Sequence, residues 1–360
     1  MRLHLKKEFF KDREQLLLQE GCLSVYTFRY STGIEALRVE NDCGYFVILP
    51  FQGQQIWDFC FGGRNLKMKT TIREPRKTKV YLETYGGFLY HCGIGSIGAP
   101  DESHPHHGEI PNAEYEEAYI DCGNDARGTY VSVGGVLSYD AAFVKKYRFL
   151  PACRLYAGES TVHVNVTIEN GRAEPLEYLY LCHINFHPIN GARLVYSVPR
   201  DSKHVKVHKI VPDSLPEAAQ AKLRDYMELL EKDPAFMDNV GNPEEAYAPE
   251  ICFTMTYKPD DKGRGYTMQY VEGEGACYVD HPTDALPIGI RWISRTATED
   301  SMGMILPATA EHLGYKDSKA KGYIRYLGGF EKVSFDLEIG YISDARAKQV
   351  EEKIDAILHS

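Results

Sequence analysis

The sequence lacks several features that would assign its class at once. No stretch reaches the roughly 20 apolar residues that a membrane span needs, and residues 1–7 contain no apolar run of signal-peptide length. The nine cysteines are odd in number, widely spaced and without a CxxC pair, which argues against a zinc finger or a thioredoxin-like motif. We therefore expect a cytoplasmic protein with reduced, mostly buried thiols.

Positive charge is also scarce. The formal net charge is −10, from 51 acidic and 41 basic residues. Nucleic acids and anionic membranes require a basic surface, so we expect neither as a partner. Residues 62–79 depart from this balance and are either a solvated surface stretch or a basic rim that attracts an anionic sugar. The basic residues of that segment are Arg64, Lys67, Lys69, Arg73, Arg76, Lys77 and Lys79.

Familiar catalytic and nucleotide-binding signatures are absent as well. The glycine-rich stretch at residues 85–95 contains neither GxGxxG nor GxxxxGK[ST], which argues against nucleotide binding. The chain has no HExxH and no GxSxG, so a zinc-peptidase motif and a serine nucleophile elbow are not indicated. Glycoside hydrolysis needs only two positioned carboxylates and stays open.

What the sequence does contain is a succession of short strand-forming segments. They recur at a spacing of roughly 8–12 residues, separated by Gly, Asn and Asp, which is typical of an all-β protein. Residues 162–168 alternate most clearly and place His163 on the polar face, where we expect it to be exposed. We predict one large antiparallel β domain over residues 1–360, with a brief helix around 14–19, a helical insertion at about 214–239 and a C-terminal helix at about 343–358.

Two histidine-rich stretches are candidate walls of an active-site cleft. One is a loop at residues 104–114, where Gly and Pro exclude a helix or a central strand. The other follows an apolar strand at residues 182–188. Histidine titrates near neutral pH, and a nearby carboxylate completes a general acid–base pair. The candidates are His107, His183 and His187, with Glu109 on the loop and Asp336 or Glu338 on a late strand.

A divalent metal is the competing use of the same residues. His104, His106, His107 and Glu109, or His183 with His187, are residue types that ligate zinc. Ligand spacing in β loops does not decide between the two uses. Our main prediction is an enzyme without a cofactor, with His104 and His106 as the metal ligands of the alternative.

Four segments together resemble the galactose mutarotase-like proteins, and within them the aldose 1-epimerase branch that carries domain of unknown function 4432. They are the glycine-rich stretch at residues 86–100 with the loop from His107-Gly108 to residue 113, then residues 183–188, 286–292 and 303–309. The resemblance spans residues 20 to 340. It implies a β-supersandwich, a cleft that binds a free sugar, and interconversion of aldose anomers. We expect a small-molecule sugar or sugar acid as the partner.

The resemblance also implies roles for individual residues. His107 would bind and polarise the sugar, and His183 would protonate the ring oxygen. Substrate contacts are expected from the following residues: His91, Asn185, His187, Arg291 and Trp292.

The chain departs from the family pattern at the catalytic base. Leu306 stands where the family has its glutamate, and Arg291 replaces the glutamine before the tryptophan. Glu109, Glu311 and Glu338 are the substitute bases, and the sequence does not rank them. Three functions follow: a mutarotase or related sugar epimerase or isomerase, a non-catalytic sugar-binding protein, or a metal-dependent sugar lyase or isomerase. A homo-oligomer is compatible with each of them.

Overall fold

The computed structural model describes residues 1–241 and 248–360, and strands dominate this part of the chain. In chain order the strands are β1 Arg2–His4, β2 Gln15–Glu20, β3 Leu23–Arg29, β4 Glu35–Asn41, β5 Gly44–Ile48, β6 Ile56–Phe61, β7 Arg64–Asn65, β8 Leu89–Ile94, β9 Glu117–Asp125, β10 Gly128–Ala141, β11 Lys145–Tyr156, β12 Thr161–Asn170, β13 Leu176–Ile184, β14 Arg193–Tyr196, β15 Val205–His208, β16 Ile251–Met255, β17 Arg264–Val271, β18 Gly275–Pro282, β19 Ile288–Arg295, β20 Asp300–Ala308, β21 Arg325–Leu327 and β22 Lys332–Ile342. The α-helices are α1 Glu217–Lys232, α2 Tyr315–Ala320 and α3 Asp344–His359, and 3-10 turns occupy Lys7–Phe9, Tyr81–Thr84 and Pro234–Asp238. The strands belong to two large antiparallel sheets, which confirms the all-β prediction.

The chain divides into two compact units. The first consists of Met1–Lys67, Ile72–His183 and Thr309–Gly340. Its strands follow the order β1-β9-β10-β11-β12-β22 in one sheet and β13-β8-β6-β5-β4-β3-β2 in the other. Strands β21 and β7 add to the second sheet beside β13 and β6. The two sheets face each other, because His91 on β8 packs against Phe149 on β11 with ring centroids 5.4 Å apart.

Alternation along β12 shows how the core of the first unit is built. Val162, Val164 and Val166 are fully buried on one face, as a period of two predicts. The expectation that His163 would be exposed is wrong. Only 13% of its side chain is exposed, because the ring packs edge-on against Tyr156 and lies 3.4 Å from a carboxylate oxygen of Glu159.

The second unit consists of Met68–Thr71, Ile184–Ala308 and Tyr341–Ser360. Its strands follow the orders β18-β17-β14 and β15-β16-β19-β20. Helix α3 covers the first set, with Ala347, Ile354 and Ile357 packed into a core that includes Met268 and Tyr278. That the whole chain forms one domain stays a prediction.

The helices differ in part from those expected. A helix around residues 14–19 is wrong, since β2 occupies this segment and pairs with β3, and strand pairing overrides a weak local helix preference. Helix α1 and the 3-10 turn after it lie within the expected insertion, and α3 lies at the C-terminus, where the Ser343 hydroxyl accepts a hydrogen bond from the Arg346 amide. In residues 1–241 and 248–360, no helix has the length and apolar character required to cross a membrane.

Candidate active site

The histidine loop is fastened to the end of β8. The amide of Gly93 donates to the carbonyl of His107 at 3.0 Å, and the amide of His107 donates to the carbonyl of Gly98 at 3.0 Å. His107 has φ +62°, a left-handed conformation that non-glycine residues adopt mainly where the surroundings impose it. The local fold therefore fixes the direction of the His107 side chain.

The His107 ring is held as a neutral hydrogen-bond donor. Its Nδ1 accepts a hydrogen bond from the Gly98 amide at 3.2 Å, so the neutral ring carries its proton on Nε2. Burial lowers the pKa of His107 well below 6.5, and the neighbouring His183, His106 and His312 rings lower it further. The residue as a whole is 8% exposed. It can polarise an oxygen atom without carrying charge itself.

His107 belongs to a group of five rings that we term the histidine cluster, which consists of His106, His107, His183, Tyr81 and Tyr85. His106, His183 and Tyr81 contact His107, and Tyr85 contacts His183. The His107 and His183 rings are perpendicular, at 86°, with centroids 5.1 Å apart. His106 stacks on His107 at 4.5 Å, and Tyr81 lies 4.7 Å away. The Tyr85 hydroxyl lies 3.4 Å from Nδ1 of His183, which is 4% exposed. The His107 and His183 imidazoles are thus in contact, and histidine side chains can both donate and accept a proton.

A cleft of about 670 Å³ opens beside this cluster, within the usual size of small-molecule sites. His106 and Tyr81 form the wall nearest the cluster, whereas His107 and His183 are not among the lining residues. The other lining side chains that matter below are Glu35, Glu109, Glu114, Lys7, Lys77, Lys79, Tyr139 and Tyr147. The cleft therefore adjoins the histidine cluster at the His106 and Tyr81 rings.

Glu109 presents its carboxylate to this cleft in a fixed orientation. The Tyr147 hydroxyl donates to it at 2.9 Å, the Gly95 amide donates at 3.0 Å, and the Lys145 ammonium lies 3.8 Å away. Burial and the charge of Glu109 raise the pKa of Tyr147. The Tyr147 phenol therefore keeps its proton and donates a hydrogen bond to the Glu109 carboxylate.

Glu311 lies on a segment that borders His107. It is 3% exposed, and Lys321 forms an ion pair with it at 2.8 Å. The carbonyl of the next residue, His312, accepts a hydrogen bond from the Ala99 amide at 2.9 Å. The His312 ring is also one of those that lower the pKa of His107. Glu311 thus directly precedes a residue that acts on the histidine cluster.

Glu338, the third carboxylate candidate, lies in a different setting on β22. It is 7% exposed and accepts hydrogen bonds from the Thr161 hydroxyl at 2.7 Å and from Arg127 at 3.4 Å. Neither partner lines the cleft. These contacts give Glu338 a structural role between β12 and β22.

His91, an expected substrate contact, has no exposed surface. Its Nδ1 pairs with the Tyr180 hydroxyl at 2.7 Å, and its ring packs against Phe149 in the core of the first unit. Burial lowers its pKa to about 3. The ring therefore offers a sugar nothing to contact, and the structure gives it a packing role.

The buried neutral His91 is expected to make the protein less stable in acid. The pKa of His91 falls from 6.5 in the unfolded chain to about 3 in the folded protein. Between these two pH values the unfolded chain therefore binds a proton at His91 and the folded protein does not. Stability then decreases by about 1.4 kcal/mol for each pH unit between those values. Urea unfolding at pH 7 and pH 5 measures how much the free energy of unfolding decreases between the two pH values. This decrease should be about 2 kcal/mol smaller in His91→Phe than in the wild type. Equal losses in both would contradict this, and His359→Phe, at an exposed histidine, serves as the control.

The remaining expected contacts lie in the second unit. Asn185 is fully buried, and His187 is half-buried, with its pKa lowered by that burial. Arg291 is 2% exposed and stacks on the Tyr196 ring at 4.2 Å while its Nε donates to the Met304 carbonyl. Trp292 donates its indole N–H to Glu250.

The two additional histidines of the loop have different partners. The Nδ1 of His104 pairs with Asp101 at 3.0 Å, and its ring stacks on Tyr315, whereas His106 stacks on His107. Within the described ranges, no three or more His, Cys, Asp or Glu side chains are grouped so as to hold a metal ion.

Sequence reasoning missed the tyrosines of the site. Tyr81 begins a short 3-10 turn and Tyr85 directly follows it, and Tyr139 and Tyr147 come from the β10–β11 hairpin. The only available signal was a total of 25 tyrosines, which does not point to any one of them.

The two antiparallel sheets are those of a galactose mutarotase-like fold, which the solved structures described below share. The chain belongs to the family described as Domain of unknown function (DUF4432), whose model matches residues 31–341. No curated protein matches the sequence.

Solved structures share this fold at low sequence identity. A Klebsiella pneumoniae protein described as a candidate aldose 1-epimerase is 15% identical with a TM-score of 0.80, over 99% of this chain and 96% of that one. A galactose mutarotase-like protein from Clostridium acetobutylicum is 13% identical with a TM-score of 0.59, over 90% and 100%. A candidate aldose 1-epimerase from Escherichia coli K12 is 13% identical with a TM-score of 0.51, over 89% and 99%.

Proposed function

We propose that the protein is a sugar isomerase of the aldose 1-epimerase type that works by acid–base catalysis at the histidine cluster. The observation that carries this proposal is the perpendicular contact of His107 and His183, one of which is held neutral with its proton on Nε2. Anomer interconversion needs one group that donates a proton to the ring oxygen and one that accepts the proton of the anomeric hydroxyl.

The roles follow from the contacts. His107 donates a hydrogen bond from Nε2 and polarises the sugar oxygen. His183, supported by the Tyr85 hydroxyl at 3.4 Å, protonates the ring oxygen as the bond from C1 to that oxygen breaks. A carboxylate removes the proton of the anomeric hydroxyl. The open-chain aldehyde rotates about its C1–C2 bond, and the ring closes with the proton transfers reversed.

Glu311 is the carboxylate that best fits the part of the base. The residue is 3% exposed, and Lys321 forms an ion pair with its carboxylate at 2.8 Å. Its neighbour His312 acts electrostatically on His107. Glu109 is the second candidate, and both of its oxygens accept hydrogen bonds, Oε1 from the Tyr147 hydroxyl and Oε2 from the Gly95 amide. Glu338 is engaged by Thr161.

Proton NMR of freshly dissolved pure anomers tests the function directly. The purified protein is expected to accelerate the approach to anomeric equilibrium for at least one sugar in a panel of neutral aldoses, uronic acids and sugar phosphates. Glu311→Gln should lose most of this acceleration, and Glu109→Gln should keep more of it. Absence of acceleration with every sugar would overturn the proposal, and sugar binding without turnover would instead identify a non-catalytic binding protein.

A further inference from the structure

The cleft beside the histidine cluster has a charge pattern that the acid–base chemistry does not use. Lys7, Lys77 and Lys79 line it. Glu114 pairs with both Lys7, at 3.0 Å, and Lys77, at 3.4 Å, so one carboxylate is shared by two ammonium groups. In the described part of the chain, the Lys79 side chain makes no ion pair or hydrogen bond. The Glu83 carboxylate, which accepts a hydrogen bond from the Thr78 hydroxyl at 2.7 Å, is also close to this segment. Three ammonium groups thus stand against the carboxylates of Glu114 and Glu83, which leaves one positive charge in excess.

The other two carboxylates of the cleft do not remove this excess. Glu35 is paired with Arg29 at 3.5 Å, and Glu109 has Lys145 at 3.8 Å. Each thus has a cation of its own. A local positive field in a chain of net charge −10 marks this cleft as a place where an anion is attracted.

The segment that carries Lys77 and Lys79 is held in place by the surrounding loops. Gln52 donates to the carbonyl of Arg76 at 3.0 Å, and the amide of Arg76 donates to the Thr84 hydroxyl at 3.0 Å. Asn112, from the histidine loop, donates to the carbonyl of Val80 at 3.3 Å. The lysine backbone is thus fixed against the cleft, and only the side chains need to adjust to a ligand.

An aromatic surface lines the same cleft. Tyr139 stacks in parallel on Tyr147, with ring centroids 5.0 Å apart and an interplanar angle of 6°. Tyr139 is 37% exposed, whereas Tyr147 is fully buried. A tyrosine supported in this way offers an apolar face and a polar hydroxyl together, which suits the mixed surface of a sugar ring.

We propose that this cleft binds a sugar carrying an anionic group, with the anion at Lys79 and Lys77 and the sugar ring against Tyr139. The sugar class rests on the function proposed above, and the requirement for a negative charge comes from the cleft itself. A carboxylate and a phosphate share this chemistry. The substrate is therefore a uronic acid or a sugar phosphate in preference to the neutral sugar.

Calorimetric titration tests this with D-glucuronate, D-galacturonate, glucose 6-phosphate and galactose 6-phosphate, against glucose and galactose. At least one anionic sugar should bind about fivefold or more tightly than its neutral counterpart, and 0.5 M NaCl should reduce that preference. Lys79→Gln should weaken binding of the anionic sugar several-fold and leave the neutral sugar unchanged. Lys222→Gln, at an exposed lysine on α1, should change neither.

The outcomes separate this inference from the proposed function. Equal affinity for charged and neutral sugars, no binding of any anionic sugar, or equal behaviour of the Lys79 and Lys222 variants would overturn it, even if anomer exchange is observed. Charge-selective binding without anomer exchange would support the inference and count against the proposed function. The relative affinities of uronates and sugar phosphates identify which anion the cleft prefers.

Discussion

Replacing His183 by alanine is expected to reduce the rate of anomer interconversion by about 10² to 10⁴, the usual contribution of a positioned acid or base. The centroids of the His183 and His107 rings lie 5.1 Å apart, and His183 is 4% exposed. His107→Ala should cost a similar factor, because the polarising donor is lost. Both are measured as kcat/KM by coupled assay or NMR on the best sugar of the panel.

Glutamine variants distinguish the two roles. An amide donates a hydrogen bond but does not transfer a proton at neutral pH. His107→Gln should therefore recover part of the activity that His107→Ala loses, whereas His183→Gln should recover none. His163→Ala is the matched control, because 13% of that side chain is exposed and it packs on Tyr156 away from the cluster. Full activity in His183→Ala, with folding verified by circular dichroism, would remove His183 from the mechanism.

The architecture was predictable because it follows from a local period. In β12 and β22 apolar and polar residues alternate, and a period of two assigns each side chain to a face without knowledge of the partner strand. The segment at residues 14–19 shows where this fails. Leu16 and Leu18 are placed by pairing with β3, across a register shift that the sequence alone does not reveal.

The candidate site was predictable only where it depends on loop composition. Gly and Pro around His107 identified a loop that carries acid–base side chains. The sequence does not show that this loop pairs with the end of β8, where Gly108 meets Gly93. His91 illustrates the limit, because every residue of β8 is buried and no alternation tells which face points to a cleft. The sequence also does not reveal the contacts of Tyr81 and Tyr85 with the histidines, because they form only when the 3-10 turn packs against the histidine loop and the end of β13.

Substituting Gly108 by alanine is expected to disturb the stability and the site together. A Cβ at this position would lie 2.1 Å from the Gly93 carbonyl oxygen and 2.4 Å from that of Ser96, and the backbone has φ +81°. Neither oxygen belongs to a flexible side chain, so the loop must move, at a cost of about 3 kcal/mol or more in the free energy of unfolding.

The matched control for this substitution is Gly33→Ala, which has φ +87° but nothing within 4 Å of the added atom. Gly33→Ala should lower the free energy of unfolding by about 1–2 kcal/mol, which is the penalty of a left-handed backbone at a residue with a Cβ atom. Urea unfolding of both variants isolates the steric part, and the activity of Gly108→Ala under conditions where it remains folded reports the displacement of His107. Equal costs at the two glycines would show that the loop adapts freely. The close fastening of the loop to β8 would then not be what positions His107.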